Sequence, residues 1–151
     1  DYSVFECWGK SKDGHLYFID GIRGKWEAPE LLAQARSFWH KHKAINNGVL
    51  RKFKVEDKAS GTGLIQTLKR EGVPIVGIQR NIDKITRAMD SAPSIEAGLV
   101  HLPSNHQMIS DLLREAAQFP NAAHDDTIDP MMDAITDMTQ VKPAVFAMPA
   151  Y

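Results

Sequence analysis

The sequence predicts an α/β fold: a mixed sheet in which three antiparallel strands come first and parallel strands follow, with helices on both faces. Three observations predict this class. Strand-like runs separated by polar turns occupy residues 3–26. Beyond them, segments with apolar residues at helical spacing alternate with short apolar runs typical of strands. The chain also contains no internal repeat, so a solenoid is not expected.

The first part of the chain predicts the three antiparallel strands. Residues 3–8 form a strand, residues 9–14 a polar turn and residues 15–20 a second strand, which together make a hairpin. Residues 21–26 predict a third, shorter strand at a sheet edge, where glycine is tolerated. Because strand-like sequence begins at the third residue, we expect the chain to be part of a longer polypeptide whose first strand starts upstream.

Helices and strands alternate through the rest of the chain. In order, the pattern predicts a helix over 29–42, a strand over 50–55, a helix over 64–72, a strand over 73–78 covered on both faces, a helix over 83–89 that breaks near residue 93, an extended segment over 98–103, and helices over 106–119 and 127–138. We therefore expect one domain over residues 1–140. Residues 141–151 carry no periodicity and are expected to form a C-terminal tail.

The composition is that of an ordinary globular domain. Of the 151 residues, 43% are apolar and 25% are charged, which argues against a disordered chain. The 18 basic and 19 acidic side chains exclude a strongly basic nucleic-acid binder but not a local basic surface. No apolar run approaches the roughly 20 residues that a membrane helix needs. The single cysteine, Cys7, excludes an internal disulfide bond and a cysteine-based zinc site.

Glu56 lies at the carboxyl end of a predicted internal strand, within Val55-Glu56-Asp57. Open α/β sheets place their functional sites at this edge. The position alone leaves two interpretations open, a carboxylate solvated in a loop and a ligand in a site.

A second acidic position, Asp125 and Asp126, precedes the last predicted helix. Pro130 fits only the first helical turn, so the two aspartates lie at or just before the helix N-terminus. One of them is expected to cap the helix. The other then lacks an explanation, and a divalent cation would relieve the repulsion between adjacent carboxylates. Three further aspartates at four-residue spacing predict a solvent-exposed stripe on this helix: Asp129, Asp133 and Asp137.

Several catalytic signatures do not occur in the sequence. The GxxxxGK[ST] phosphate loop, the HExxH histidine spacing and the GxSxG elbow are all missing. Basic side chains cluster between residues 36 and 58 and again between residues 69 and 87. These clusters predict either a solvated surface or a phosphate-binding face beside an acidic metal site.

A series of short motifs, taken together in order and spacing, is more specific than any one of them. The motifs are Asp1-Tyr2-Ser3-Val4 with Trp8-Gly9; Tyr17-Phe18-Ile19-Asp20 with Arg23-Gly24; Val55-Glu56-Asp57-Lys58-Ala59-Ser60-Gly61; Asp83-Lys84-Ile85-Thr86-Arg87-Ala88; Glu96-Ala97-Gly98-Leu99-Val100 with Leu102-Pro103; and Phe119-Pro120 with His124-Asp125-Asp126-Thr127-Ile128-Asp129. This series resembles the C-terminal nuclease domain of phage and prophage large terminase subunits. The resemblance covers most of the chain.

The resemblance implies a ribonuclease H-like fold and a metal-dependent endonuclease that cleaves concatemeric double-stranded DNA with two Mg²⁺ or Mn²⁺ ions. It implies that Glu56, Asp125 and Asp126 are catalytic and bind the metal, and that Asp1 is a further metal ligand. We therefore expect Glu56 and at least one of the paired aspartates to lie side by side. The family's leading catalytic aspartate belongs to an upstream segment of the type Ser-x-Asp-Thr-Ala, which this sequence does not contain.

The same resemblance implies the partners of the domain. Lys58, Lys84 and Arg87 are candidate DNA contacts, although a surface salt bridge would explain Lys84 and Arg87 equally well. The other implied partners are a terminase ATPase domain in the same full-length chain, the terminase small subunit and the portal protein, in the cytoplasm of a bacterial host and without a membrane. The acidic residues alone leave open another ribonuclease H-like nuclease of the resolvase or integrase type, a catalytically incomplete DNA-binding or assembly module, and a protein-interaction domain.

Overall fold

The computed structural model describes residues 2–44 and 50–139, so Asp1 and the predicted tail over residues 141–151 lie outside the described residues. The strands are β1 (Ser3–Lys10), β2 (Leu16–Gly24), β3 (Phe53–Glu56), β4 (Ile75–Ile78) and β5 (Val100–His101). The helices are α1 (Ala28–His42), α2 (Ser60–Arg70), α3 (Lys84–Glu96), α4 (Ile109–Gln118) and α5 (Ile128–Thr139). The order of helices and strands after β2 agrees with the alternation that the sequence predicts.

The first sheet contains β1, β2 and β5. β1 and β2 form the predicted antiparallel hairpin, with a register irregularity between Cys7 and Trp8, and β5 pairs with β2 in parallel. The prediction of a separate third antiparallel strand over 21–26 is wrong, because β2 continues to Gly24, which pairs with Ser3. Gly21 does not break the strand. Its missing side chain makes room for the core, since a Cβ there would lie 2.7 Å from the Met108 sulfur.

The second sheet contains β3 and β4, which run parallel. Within the described residues, no hydrogen-bonded ladder joins it to the first sheet. The prediction that residues 73–78 form a strand covered on both faces is wrong. Ile75 is buried, but Val76 is 46% exposed, because α2 covers one side of this short ladder and leaves the side chain of Val76 open to solvent.

Two hydrophobic cores place helices on both faces of the β1–β2 hairpin, as the sequence predicts. The first core joins β1 to α1, α2 and the second sheet, and the Phe5 and Phe53 rings meet edge to face with centroids 5.7 Å apart. The second core joins the opposite face of the hairpin to α4 and α5, and the Trp8 ring meets Phe18 in the same geometry. Consecutive side chains of a strand point to opposite faces, so Phe5 and Cys7 enter the first core and Val4 and Trp8 the second.

α3 is longer than the sequence predicts. The prediction of a break near Pro93 is wrong, because the helix includes this proline and ends at Glu96. Proline removes one N–H donor, yet the following turn still closes through a bond of 3.0 Å from the Ala97 N–H to the Pro93 carbonyl. The helix begins where Asp83 caps it, accepting a hydrogen bond of 3.0 Å from the Thr86 N–H.

Asp20 on β2 connects α1 to the loop before α4. One carboxylate oxygen accepts from Lys41 and His42, at 2.9 and 2.8 Å, and the other accepts from His106 at 2.9 Å. Burial opposes ionisation, but these three bonds together hold the pKa of Asp20 well below its usual range. The two histidines therefore donate to a half-buried carboxylate that links the two cores.

Two adjacent leucines on α4 provide a direct test of the second core. Leu112 is 1% exposed and Leu113 is 55% exposed. We expect Leu112→Ala to lower the free energy of unfolding by about 2–5 kcal/mol, because it leaves a cavity among α4, α5 and β2. Leu113→Ala, the matched control, should change it by less than about 0.5 kcal/mol. Urea unfolding followed by circular dichroism measures both, and equal losses would contradict this packing.

Candidate metal centre

Glu56 is the last residue of β3, as predicted, at the carboxyl end of the parallel ladder. The chain turns sharply after it, and α2 begins directly against the strand end. A Cβ at Gly61 would lie 2.2 Å from the Glu56 carbonyl oxygen, so only glycine fits at this close approach. The Glu56 side chain is 35% exposed, and its carboxylate accepts a hydrogen bond of 2.6 Å from Arg80.

Asp125 and Asp126 lie just before α5, also as predicted. The prediction that one of them caps the helix is wrong. The carboxylate that accepts from this turn belongs to Glu115 of α4, which bonds the Thr127 N–H at 3.0 Å and the Thr127 hydroxyl. Asp125 instead pairs with Lys84. Asp126 has a buried carboxylate oxygen, Oδ2, with no hydrogen-bond partner.

The three aspartates along α5 are paired with basic side chains. Asp133 accepts from Arg80, and Asp129 accepts from Arg87 at 2.9 Å. The prediction of a solvent-exposed stripe is therefore wrong: these two carboxylates are 22% and 21% exposed. The physical reason is that α5 packs against α3, so its polar face meets basic side chains rather than water. Asp137 follows the same rule and pairs with Lys52 and Lys54.

These pairs form a continuous chain of charges from β3 to the first turn of α5. Arg80 bridges Glu56 and Asp133, and Arg87 bridges Asp133, at 3.7 Å, and Asp129. Within residues 2–44 and 50–139, no group of three or more His, Cys, Asp or Glu side chains is arranged to hold a metal ion. The direct proximity of Glu56 to the paired aspartates therefore stays a prediction.

The candidate DNA contacts have different surroundings. Lys58 is exposed in the turn after β3. Lys84 and Arg87 both form ion pairs, the alternative that the sequence left open, and their side chains are 36% and 14% exposed. Contact of any of the three with phosphate stays a prediction. Asp1 lies outside the described residues.

Comparison with known protein families identifies the family of the chain. The family model of the terminase RNaseH-like domain matches residues 1–137. The chain belongs to this family. The searches of curated proteins and of solved structures gave no match. The mixed α/β architecture of the terminase domain is consistent with the family fold, although the predicted strand pattern is only partly observed. Among its described helices, none has the length and apolar character required to span a membrane.

The acidic side chains of the terminase domain fit a hard divalent cation in their chemistry. Glu56, Asp125 and Asp126 offer carboxylate oxygens, the donors that Mg²⁺ and Mn²⁺ prefer. Asp126 Oδ2 is buried and has no hydrogen-bond partner, as are Glu6 Oε1 and Glu115 Oε1, and it is the one of these oxygens that belongs to the predicted ligand set. A desolvated carboxylate oxygen that receives no hydrogen bond is costly unless a cation compensates it.

Sequence reasoning missed two glutamates of the terminase domain that each have a buried carboxylate oxygen. Glu115 is 3% exposed, and its position three residues after Leu112 on the apolar side of α4 was the available signal. Glu6 lies on β1 and accepts a hydrogen bond of 2.8 Å from the Trp8 indole. Burial raises the pKa of Glu6 to about 8; the indole bond opposes this, while the negative charges of Glu115 and Asp133 add to it.

The raised pKa of Glu6 makes stability depend on pH. A carboxyl group whose pKa is higher in the folded state contributes stability below its unfolded value of about 4.5 and loses it as the pH rises towards 8. We expect Glu6→Gln to raise the free energy of unfolding at pH 8.5, relative to its effect at pH 5, by roughly 1–3 kcal/mol. Urea unfolding at both pH values measures this.

Glu30→Gln, which removes an exposed charge from the first turn of α1, is the control for the change in net charge. A Glu6→Gln effect that is the same at pH 5 and pH 8.5 would contradict a proton held on Glu6.

Proposed function

We propose that this terminase domain is a metal-dependent endonuclease that cleaves concatemeric double-stranded DNA during viral genome packaging. Family membership supports the nuclease class. The single observation that carries the assignment to a site is the carboxylate of Asp126, just before α5, which keeps a buried oxygen without a hydrogen-bond partner. The proposal joins it to Glu56 at the end of β3. Carboxylates on separate segments at a sheet edge and a helix N-terminus are the donor set that such hydrolysis uses.

In this proposal the acidic residues share the task of binding the metal. Glu56, Asp125 and Asp126, together with Asp1 and the upstream aspartate of the family, supply the oxygens that hold the metal. Two bound Mg²⁺ or Mn²⁺ ions would supply an activated water and neutralise the leaving 3′ oxygen. Motor-coupled cleavage requires recognition of the DNA backbone, which is largely independent of sequence.

The basic side chains of the proposed site bind and orient the DNA. Lys58, Lys84 and Arg87 would contact phosphate groups on either side of the cleaved bond. The ATPase domain of the full-length chain, the small subunit and the portal protein would present the DNA in the cytoplasm of the bacterial host. A nuclease of the resolvase or integrase type would use the same carboxylates, but it would cut at a defined structure or sequence.

A catalytically incomplete DNA-binding or assembly module is the second candidate. The observation that favours it is that Glu56 and Asp125 are paired with Arg80 and Lys84. In such a module these pairs would be permanent, and divalent ions would not stabilise the fold. In a nuclease the ions would displace them and raise the melting temperature.

The substitution Asp126→Asn separates the two functions. Asparagine keeps the size of the side chain but removes the charge that a hard cation needs. We expect the increase in melting temperature with Mn²⁺ to shrink in the variant, whereas melting without metal is unchanged or slightly higher, because repulsion with neighbouring carboxylates is relieved. Differential scanning calorimetry with and without Mn²⁺ measures both. Plasmid cleavage by the chain extended upstream to include the leading aspartate should also fall by at least 100-fold or so.

Asp13→Asn is the matched control, because Asp13 is 71% exposed in the turn between β1 and β2. It should retain the full Mn²⁺ effect. An unchanged Mn²⁺ effect and retained cleavage in Asp126→Asn would remove Asp126 from the site and leave Asp125 as the candidate.

A further inference from the structure

We propose that Arg80 is an internal counter-ion that competes with the divalent metal ion for Glu56, and that DNA phosphate releases Glu56 by binding the Arg80 guanidinium. The inference rests on the proposed nuclease function and adds regulation of the same site. Metal binding and DNA binding would then assist each other, because each ligand takes one member of the Glu56–Arg80 pair.

The geometry of Arg80 supports competition. Arg80 lies in the segment between β4 and α3, and its two terminal nitrogens bind carboxylates of two different elements, Glu56 at 2.6 Å and Asp133. Its side chain is only 20% exposed, so solvent screens this pair less than a surface pair. The guanidinium therefore occupies a Glu56 oxygen that a metal would need, and its charge repels a cation approaching that oxygen.

Of the three candidate ligands, Glu56 is the one that is paired with Arg80. The Asp126 oxygen is buried and has no hydrogen-bond partner, so a cation would not have to displace a basic side chain from it. Asp125 is held by Lys84, whose side chain is 36% exposed against 20% for Arg80, so solvent competes more easily for the lysine than for the arginine. Release of Glu56 is therefore the step that most limits metal binding in this arrangement.

The surroundings of Arg80 indicate which ligand can draw it away. Arg80 lines an open cleft of about 170 Å³, together with Arg87 and Lys54 and with the carboxylates of Asp90, Asp133 and Asp137. The three cations are matched by three carboxylates, so a phosphate group binds there by displacing a carboxylate from a cation. The planar guanidinium suits this exchange best, because it binds phosphate through two parallel hydrogen bonds. The DNA backbone is thus the chemistry that would compete with Glu56 for Arg80.

The first test measures Mn²⁺ affinity in the absence of DNA. We expect Arg80→Gln to bind Mn²⁺ about 3- to 10-fold more tightly than the unaltered domain in isothermal titration calorimetry, because Glu56 and Asp133 lose their counter-ion. Arg36→Gln is the matched control: Arg36 forms a two-bond pair with Glu71 on the surface, and its loss should leave Mn²⁺ affinity unchanged.

Arg80→Lys keeps the charge but cannot bridge two carboxylates as a fork, so its Mn²⁺ affinity should lie between those of the unaltered domain and Arg80→Gln. It also provides a folded variant if Arg80→Gln does not fold. Unchanged or weaker Mn²⁺ affinity in a folded Arg80 variant, with only a lower melting temperature, would show a purely structural ion pair and overturn the proposal.

The second test measures DNA binding in EDTA. Fluorescence anisotropy measures binding to a DNA duplex of about 20 base pairs, which is roughly two helical turns. Arg80→Gln should bind this duplex more weakly than the unaltered domain does. The slope of log affinity against log salt concentration should fall by about 1, as expected for the loss of one phosphate contact. An unchanged slope would overturn the phosphate part of the proposal.

Two further variants distinguish failure of this inference from failure of the proposed function. Glu56→Gln and Asp126→Asn should each weaken Mn²⁺ binding in calorimetry if the metal site is correct. If neither does, the proposed function fails whatever Arg80 does. If both do but Arg80→Gln does not bind Mn²⁺ more tightly, only the role of Arg80 is wrong.

Discussion

In the described part of the chain, the terminase domain contains two separate strand ladders, one formed by β1, β2 and β5 and the other by β3 and β4. Charge pairs between α5 and the basic side chains that face it connect these two parts. Every aspartate of the regular four-residue series on and before α5 has a basic partner on another element: Asp125 with Lys84, Asp129 with Arg87, Asp133 with Arg80, and Asp137 with Lys52 and Lys54. The two strand ladders share no hydrogen bonds within the described residues, so these pairs and the shared cores fix their relation. The edge that carries Glu56 is positioned towards α5 by the same contacts.

The same ion pairs determine the charge balance of the candidate site. Glu56, Asp125 and the aspartates of α5 are paired with basic side chains, whereas Asp126 has a buried oxygen that receives no hydrogen bond, as do Glu6 and Glu115. Acidic side chains without a metal are often stabilised by neighbouring cations, because a group of bare carboxylates would repel itself. An arginine that neutralises a metal ligand also competes with the metal. In the proposed site, stability and metal affinity would therefore be opposed at Arg80, and a polyanionic ligand would change the balance.

Much of the fold was predictable from local patterns. The positions of Glu56 at a strand end and of Asp125 before a helix follow from apolar spacing and from Pro130, which are properties of neighbouring residues. The prediction of a solvent-exposed stripe was wrong for a different reason. The four-residue spacing of Asp129 and Asp133 shows that they share a helix face, but it does not show which side chains that face contacts. The prediction that Asp125 or Asp126 caps α5 was wrong for the same reason. The carboxylate that accepts from Thr127 belongs to Glu115 on another helix, and no spacing rule connects these two residues. Contacts between elements far apart in sequence decide such cases.

Diffraction from crystals soaked in Mn²⁺ tests the central claim most directly, because anomalous scattering locates the ion independently of activity. We expect an anomalous peak about 2 Å from a carboxylate oxygen of Glu56 and from one of Asp126, with the Arg80 guanidinium displaced from Glu56. A domain that binds Mn²⁺ elsewhere, or a structure in which Glu56 stays paired with Arg80 at saturating Mn²⁺, would contradict it.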